Sequence, residues 1–219
     1  MKRVLVLVEG QTEERFVKDV LNEALCPRGV GLVPKIVTTK RVKRGPDFKG
    51  GLSDYQKVEN DLKRLLNDTG AAAITTFFDY YGLPDDFPGM DTRPPTAAPA
   101  AKARHVERAW EERISHPRFH AYLMVHEFEA LLFTRPAELC QALYAPSALK
   151  NLQGVRNSFA TPEEINDDPL TAPSKRIRDH LPGYQKTVHG PLVARRTGIE
   201  RLRQECPHFG EWLGWLENL

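Results

Sequence analysis

The stretch Val4-Leu5-Val6-Leu7-Val8-Glu9-Gly10-Gln11-Thr12-Glu13 decides the fold. The unbroken valine and leucine run Val4–Val8 makes a strand that is apolar on both faces. Such a strand belongs at the centre of a parallel sheet covered by helices on each side. Glu9-Gly10 ends it. Gln11 to Glu14 opens a helix, with Thr12 placed to cap the free N–H groups, and Phe16, Val17, Val20, Leu21 and Leu25 recur at helical spacing. Pro27-Arg28-Gly29 stops that helix.

The alternation continues outward. Val30 to Thr38 predicts a second strand, and Lys40–Gly51 a Gly- and Lys-rich loop. Ser53 to Leu66 has one apolar helical face (Val58, Leu62, Leu65, Leu66). Ala71 to Phe78 predicts a third buried strand with Asp79 at its carboxyl end. An acidic, proline-rich connection, Tyr80–Pro99, leads to a charged helix at Ala100–Ile114 and a fourth strand at Phe119–Val125. A helix is expected to start at His126–Phe133. The order β-α-β-α-β-α-β predicts an α/β fold: a largely parallel central sheet flanked by helices. Beyond Phe133 repeated prolines predict short helices and loops. The expected organisation is therefore an α/β core over residues 1–133 and a carboxyl-terminal helical lobe over 134–219, packed on the core.

At 219 residues, 41% hydrophobic and 27% charged, the chain has the composition of a globular protein able to bury a core. Its formal net charge of +2 hides local asymmetry. Lys35–Lys49 holds six bases and one acid, Pro173–Arg203 eight bases and two acids, and Asp79–Asp91 four acids and no base. The three cysteines, Cys26, Cys140 and Cys206, are widely spaced and lack a CxxC, which argues against a disulfide framework or a thiolate zinc site. Cys206 and His208 alone are too few for zinc. The amino terminus starts like a secretory leader, but its apolar run ends at Glu9, short of the roughly 7–15 residues such a leader needs. No apolar run nears the ~18 residues of a membrane span. The expectation is a cytoplasmic protein without membrane partners.

Acids at strand ends carry the functional reading, because open α/β sheets bind ligands at the carboxyl edge. Glu9 follows the first strand, Asp79 the third, and Glu127 and Glu129 the fourth. Clustered carboxylates repel unless a proton or a cation intervenes, and oxygen-only ligands favour Mg²⁺ or Mn²⁺. Glu9, Asp79, Glu127 and Glu129 are therefore the candidate metal ligands. Glu127 and Glu129 lie two apart, so on a helix only one should reach the crevice. Glu13 reads as a complement to the positive end of the first helix. His126 reads as an interior histidine, and Phe209, Trp212, Leu213 and Leu216 as core.

Val8-Glu9-Gly10-Gln11-Thr12-Glu13 resembles the VEGxTE signature of Toprim domains, the fold shared by topoisomerases, primases and OLD-type nucleases. Thr76-Phe77-Phe78-Asp79-Tyr80-Tyr81-Gly82-Leu83-Pro84, His126–Phe133 and Pro182-Gly183-Tyr184-Gln185-Lys186 resemble the Toprim-like family called domain of unknown function 4276. The resemblance implies a Toprim-like core, metal-assisted phosphodiester or phosphoryl chemistry, and a partner ATPase in bacterial defence operons. One departure stands out. Toprim enzymes usually carry DxD at the second acidic site, whereas Asp79 is followed by Tyr80 and Tyr81; Asp85 and Asp86 lie too far along the loop to replace the second acid.

Two basic segments complete the reading. Lys175 and Arg178 in one, and Tyr184, Gln185, Lys186 and His189 in the other, are candidate phosphate or nucleic-acid contacts. Glu9, Asp79, Glu129 and Lys186 form the candidate catalytic set, with Lys186 facing the phosphate. GxSxG, GxxxxGK[ST] and GxGxxG are all missing, which disfavours a hydrolase triad, an ATPase and a dinucleotide enzyme. Three readings stand: a Mg²⁺-dependent nuclease, a non-catalytic module binding nucleic acid or an ATPase, and a metal-dependent nucleotide phosphohydrolase. The oligomeric state, homo-oligomer included, stays open.

Overall fold

The computed structural model describes residues 1–37, 54–165 and 171–219. Its sheet is built around β1 (Lys2–Val8), which pairs in parallel with β2 (Val30–Ile36) on one side and β3 (Ala73–Asp79) on the other. β3 pairs in parallel with β4 (Phe119–His120) and then β5 (Leu123–Met124), so the order is β2-β1-β3-β4 with β5 beside the end of β3. The chain moves from β1 outward to β2, then returns to the opposite flank of β1. That reversal leaves a crevice between the carboxyl ends of β1 and β3, where ligands bind in open α/β sheets. The register is Val8 opposite Phe77 and Asp79 opposite Met124, so all three strand ends open onto one edge.

The side chains of β1 split between two layers, as a central strand demands. Val4, Val6 and Val8 enter one apolar cluster; Leu5 and Leu7 enter another. The first layer holds α1 (Gln11–Phe16), which continues through a π-type turn at Val17–Leu21 into α2 (Asn22–Leu25). The second holds α3 (Tyr55–Leu66) and α4 (Pro99–Ile114), with Trp110 stacked against Phe78. The remaining helices are α5 (Pro136–Ala142), α6 (Leu149–Asn157), α7 (Pro173–His180), α8 (Lys186–Thr197), α9 (Ile199–Glu205) and α10 (Pro207–Glu217). They share the first layer: Phe209, Trp212, Leu213 and Leu216 are buried in the same cluster as Val4 and Phe16. His126 is also buried. Among the described residues no helix is long and apolar enough to cross a membrane.

Several elements differ from the sequence expectation. The first helix begins at Gln11 with Gly10 at its N-cap and no capping side chain, so Thr12 sits buried inside the first turn. The expected strand Phe119–Val125 is broken into β4 and β5. At the break, Thr76 receives the Tyr122 N–H at 2.9 Å and donates to the Tyr122 carbonyl at 2.8 Å. Glu111 and Glu107, reaching from α4, accept the N–H groups of Ala121 and Leu123, both at 2.8 Å. Side chains thus replace ladder bonds that buried backbone groups cannot forgo. The helix expected from His126 is a 3₁₀ segment, Phe128–Thr134. The Tyr80–Pro99 connection is anchored to the core, for Leu83 and Phe87 are buried in the second layer. The Lys40–Gly51 loop, Thr38, Ser53 and every base of the Lys35–Lys49 run except Lys35 lie outside the described residues.

Thr76→Val preserves shape but leaves the buried Tyr122 N–H and carbonyl without their hydroxyl partner. The expected cost is about 1–3 kcal/mol, read as a lower urea midpoint at unchanged slope.

Candidate active site

Three strand ends aim acids at the crevice. Glu9 follows β1, Asp79 ends β3, and Glu127 and Glu129 follow β5 across the short connection Val125-His126. Asp79 is fixed by a 2.9 Å bond from the Phe128 N–H to its Oδ1. This bond ties the end of β3 to the 3₁₀ segment that carries Glu129. Glu127 precedes that segment in extended backbone, at φ −136° and ψ 155°. The helical argument that only one of Glu127 and Glu129 reaches the crevice therefore does not apply, and both line it. Glu127 Oε2 accepts the Ser174 N–H at 3.0 Å, in the first turn of α7. That turn complements its charge.

Lys186 enters from the opposite wall at the start of α8. Its Nζ lies 3.4 Å from Glu13 Oε1, 3.4 Å from Asp79 Oδ2 and 3.3 Å from Glu129 Oε2. This reach depends on close approach of the helix. A Cβ at Gly190 would lie 2.8 Å from the Phe128 ring and 3.5 Å from Thr12. Glycine there lets α8 pack against both α1 and the 3₁₀ segment. Lys175 and Arg178 of α7 stand on the rim, and the cavity has a volume of about 590 Å³. Tyr184, Gln185 and His189 are not part of its lining. Tyr184 is buried behind Glu129, while the Gln185 N–H donates to His189 Nδ1 at 2.9 Å at the start of α8.

Electrostatics follow from this crowding. Burial, then the Glu13 charge, pushes the Glu9 carboxyl up to about 7, although Lys186 and a backbone hydrogen bond at Asp79 oppose the rise. Burial likewise raises Asp79 well above the usual carboxylate range, against Lys186 and with Glu9, Glu13 and Glu129. Burial raises Glu129, with Lys186 again opposing. For Lys186 burial favours the neutral amine, but Asp79, Glu129, Glu13 and Glu9 together hold it firmly protonated.

The sequence reading missed Glu13 as a member of the site. It is buried, and a Cβ at Gly10 would come within 3.3 Å of its Oε2, so the glycine makes room for it. The signal was its place four residues after Glu9, across a turn that returns the chain to the same crevice. Tyr81 and Ser174 also line the cavity without having been singled out.

The donor set is all oxygen, as hard divalent cations require. Glu9 Oε2 is buried without a hydrogen-bond partner, and so are both oxygens of Glu129, whose charge is met by Lys186. These residues fit Mg²⁺ or Mn²⁺ in chemistry. Among the described residues, however, no three acids converge as a set that could hold an ion as they stand; the Lys186 ammonium takes the centre.

The family model described as "Domain of unknown function (DUF4276)" matches residues 8–217. No curated protein matches the chain. Among solved structures, the C-terminal region of the Burkholderia pseudomallei OLD protein is similar with a TM-score of 0.44 and 13% identity, over 97% of this chain and 99% of that one. The C-terminal region of the Xanthomonas campestris pv. campestris OLD protein is similar with a TM-score of 0.36 and 15% identity, over 100% of this chain and 99% of that one.

The raised Glu9 pKa sets a pH dependence of stability in chelating buffer. Between its ordinary value and about 7 the folded state binds more protons at Glu9 than the unfolded chain does. The contribution of Glu9 to stability therefore falls as pH rises through that window. Glu9→Gln removes this loss. The variant should gain on the order of 1–3 kcal/mol over the parent between pH 5 and pH 8, measured by urea unfolding at each pH.

Proposed function

Since the chain belongs to the family described as Domain of unknown function (DUF4276), we propose that it is a metal-dependent phosphodiester hydrolase acting on nucleic acid. One observation carries this reading. Five carboxylates, Glu9, Glu13, Asp79, Glu127 and Glu129, share a crevice at the carboxyl edge of the sheet with Lys186, beneath a rim of Lys175 and Arg178. Purely structural ion pairing rarely gathers so many acids around one base, whereas phosphoryl chemistry needs both signs of charge in one place.

Glu9, Asp79 and one or both of Glu127 and Glu129 would hold Mg²⁺ or Mn²⁺, which when bound polarises the phosphoryl oxygen and lowers the pKa of attacking water. The chain's own groups do the rest. Lys175 and Arg178 draw the phosphate to the mouth of the crevice. Lys186, kept protonated by its acidic neighbours, faces the negative charge that develops on the phosphate. Tyr184 closes the back of Glu129 against water.

A second reading has its own support. Lys186 already pairs with three acids, and no three described acids form a ready ion site, which is how a Toprim-like module that binds nucleic acid or a partner ATPase without cutting would look. A panel of single- and double-stranded DNA, RNA and tRNA separates the two, run in Mg²⁺ or Mn²⁺ with and without a genomically adjacent ATPase. Under the hydrolase reading Glu9→Gln lowers cleavage about 100-fold or more while the fold stays intact. Lys186→Ala lowers it by about 10²–10³ and reduces the salt slope of binding by about one phosphate. Cleavage that survives both Glu9→Gln and EDTA overturns this mechanism. Binding that depends on Lys186 without any cleavage selects the second reading.

A further inference from the structure

Tyr81 is the common wall of two cavities. On one side lies the acidic crevice; on the other lies a second cavity of about 450 Å³ lined by Tyr80, Tyr81, Met90, Arg93, Lys102 and His126. Tyr81 is 45% exposed although it stands between two cavities. Its backbone is not loose. The Tyr81 N–H donates to the His126 carbonyl at 3.3 Å, one residue before Glu127, so the backbone that carries the ring is tied to the segment that bears the site acids. Arg93 is held by neutral partners among the described residues: it donates to the Tyr80 hydroxyl at 3.4 Å and to the Met90 sulfur at 3.5 Å. Its charge is thus directed without being neutralised. Asp85 also lines the cavity, and the two cations outnumber it.

We propose that this second cavity is a subsite for the nucleotide next to the reacting phosphate of a single-stranded polynucleotide, with its base stacked on Tyr81 and its phosphate met by Arg93 and Lys102. The inference deepens the hydrolase reading and rests on it for the position of the reacting phosphate. An aromatic ring beside a cationic pair is the arrangement that holds unpaired bases and their backbone with little regard to sequence. A base within a duplex would keep its faces covered by its neighbours and could not use the ring. A lone phosphoryl group would find its charge partners at Lys175, Arg178 and Lys186, and would leave the second cavity idle. The cavity therefore favours a chain of nucleotides over a mononucleotide.

The test measures binding of a short fluorescein-labelled oligodeoxythymidylate by anisotropy, with Ca²⁺ standing in for Mg²⁺. It runs alongside hydrolysis of methyl p-nitrophenyl phosphate, a diester with no neighbouring nucleotide. Tyr81→Leu should weaken oligonucleotide binding about tenfold, while Tyr81→Phe, which keeps the ring, should bind as the parent does. The paired Arg93→Ala and Lys102→Ala substitutions should weaken it about tenfold and flatten the salt dependence. They should also change KM for the minimal diester less than twofold. If the parent cleaves neither the minimal diester nor the nucleic acids of the panel above, the hydrolase reading fails, yet the anisotropy series still decides the subsite. Parent-like affinity in both Tyr81→Leu and the paired variant overturns the subsite. So does failure of the parent to bind the oligonucleotide, or an equal loss on blunt duplex and single strand.

Discussion

Carboxylates gathered in a protein interior repel one another unless a proton or a positive charge stands among them, and in this chain Lys186 supplies the charge. Its ammonium lies within 3.4 Å of acids from three separate elements: Glu13 on α1, Asp79 at the end of β3 and Glu129 on the 3₁₀ segment. Remove that charge and each acid answers its neighbours by repulsion or by taking up a proton. The arrangement is an ion-pair network, and such networks cost desolvation that their mutual attraction only partly returns. A chain under selection for stability alone would fill this volume with apolar side chains. Keeping the charges is what the proposed phosphoryl chemistry would require.

The placement of Lys186 constrains the rest of the molecule. The residue belongs to α8, far along the chain from the strands whose ends it serves, and it reaches them because glycine at 190 lets the helix touch Phe128 and Thr12. The same approach merges the carboxyl-terminal helices with the sheet in one apolar cluster that runs from Val4 to Leu216. Arg15 reinforces the contact by donating to the Thr187 carbonyl at 3.0 Å. Helical lobe and sheet thus meet where the charges meet, and neither wall of the crevice is complete without the other.

Much of this was legible in the sequence because its signals are local. The apolar run Val4–Val8 and the acid after it needed only strand periodicity, and the same rule predicted the strand Ala71–Phe78, observed as Ala73–Asp79. Other features were hidden because they depend on distant partners. The break between β4 and β5 is sustained by Thr76, Glu107 and Glu111, which no reading of residues 119–125 alone would bring together. Glu127 and Glu129 were expected to diverge on a helix, but Glu127 is drawn into extended backbone ahead of the segment and meets the Ser174 N–H. Glu13 read as a helix-dipole acid because its other neighbour, Lys186, lies on the far side of the chain.

The resemblance to Toprim domains would place a second acid two residues after Asp79, where this chain has Tyr81, and the fold shows what a tyrosine there does to the crevice. An acid at that place would add a further buried negative charge to five carboxylates served by one ammonium, and would raise the cost of holding them ionised. Glu13 and Glu127 instead bring their charges from other elements, where Lys186 and the first turn of α7 meet them. Tyrosine leaves the charge balance untouched and turns the end of β3 into a wall with a π face on its open side. Under the proposed function, one ligand fewer and one contact surface more would come from the same residue, beside an Asp79 held in place by the Phe128 N–H.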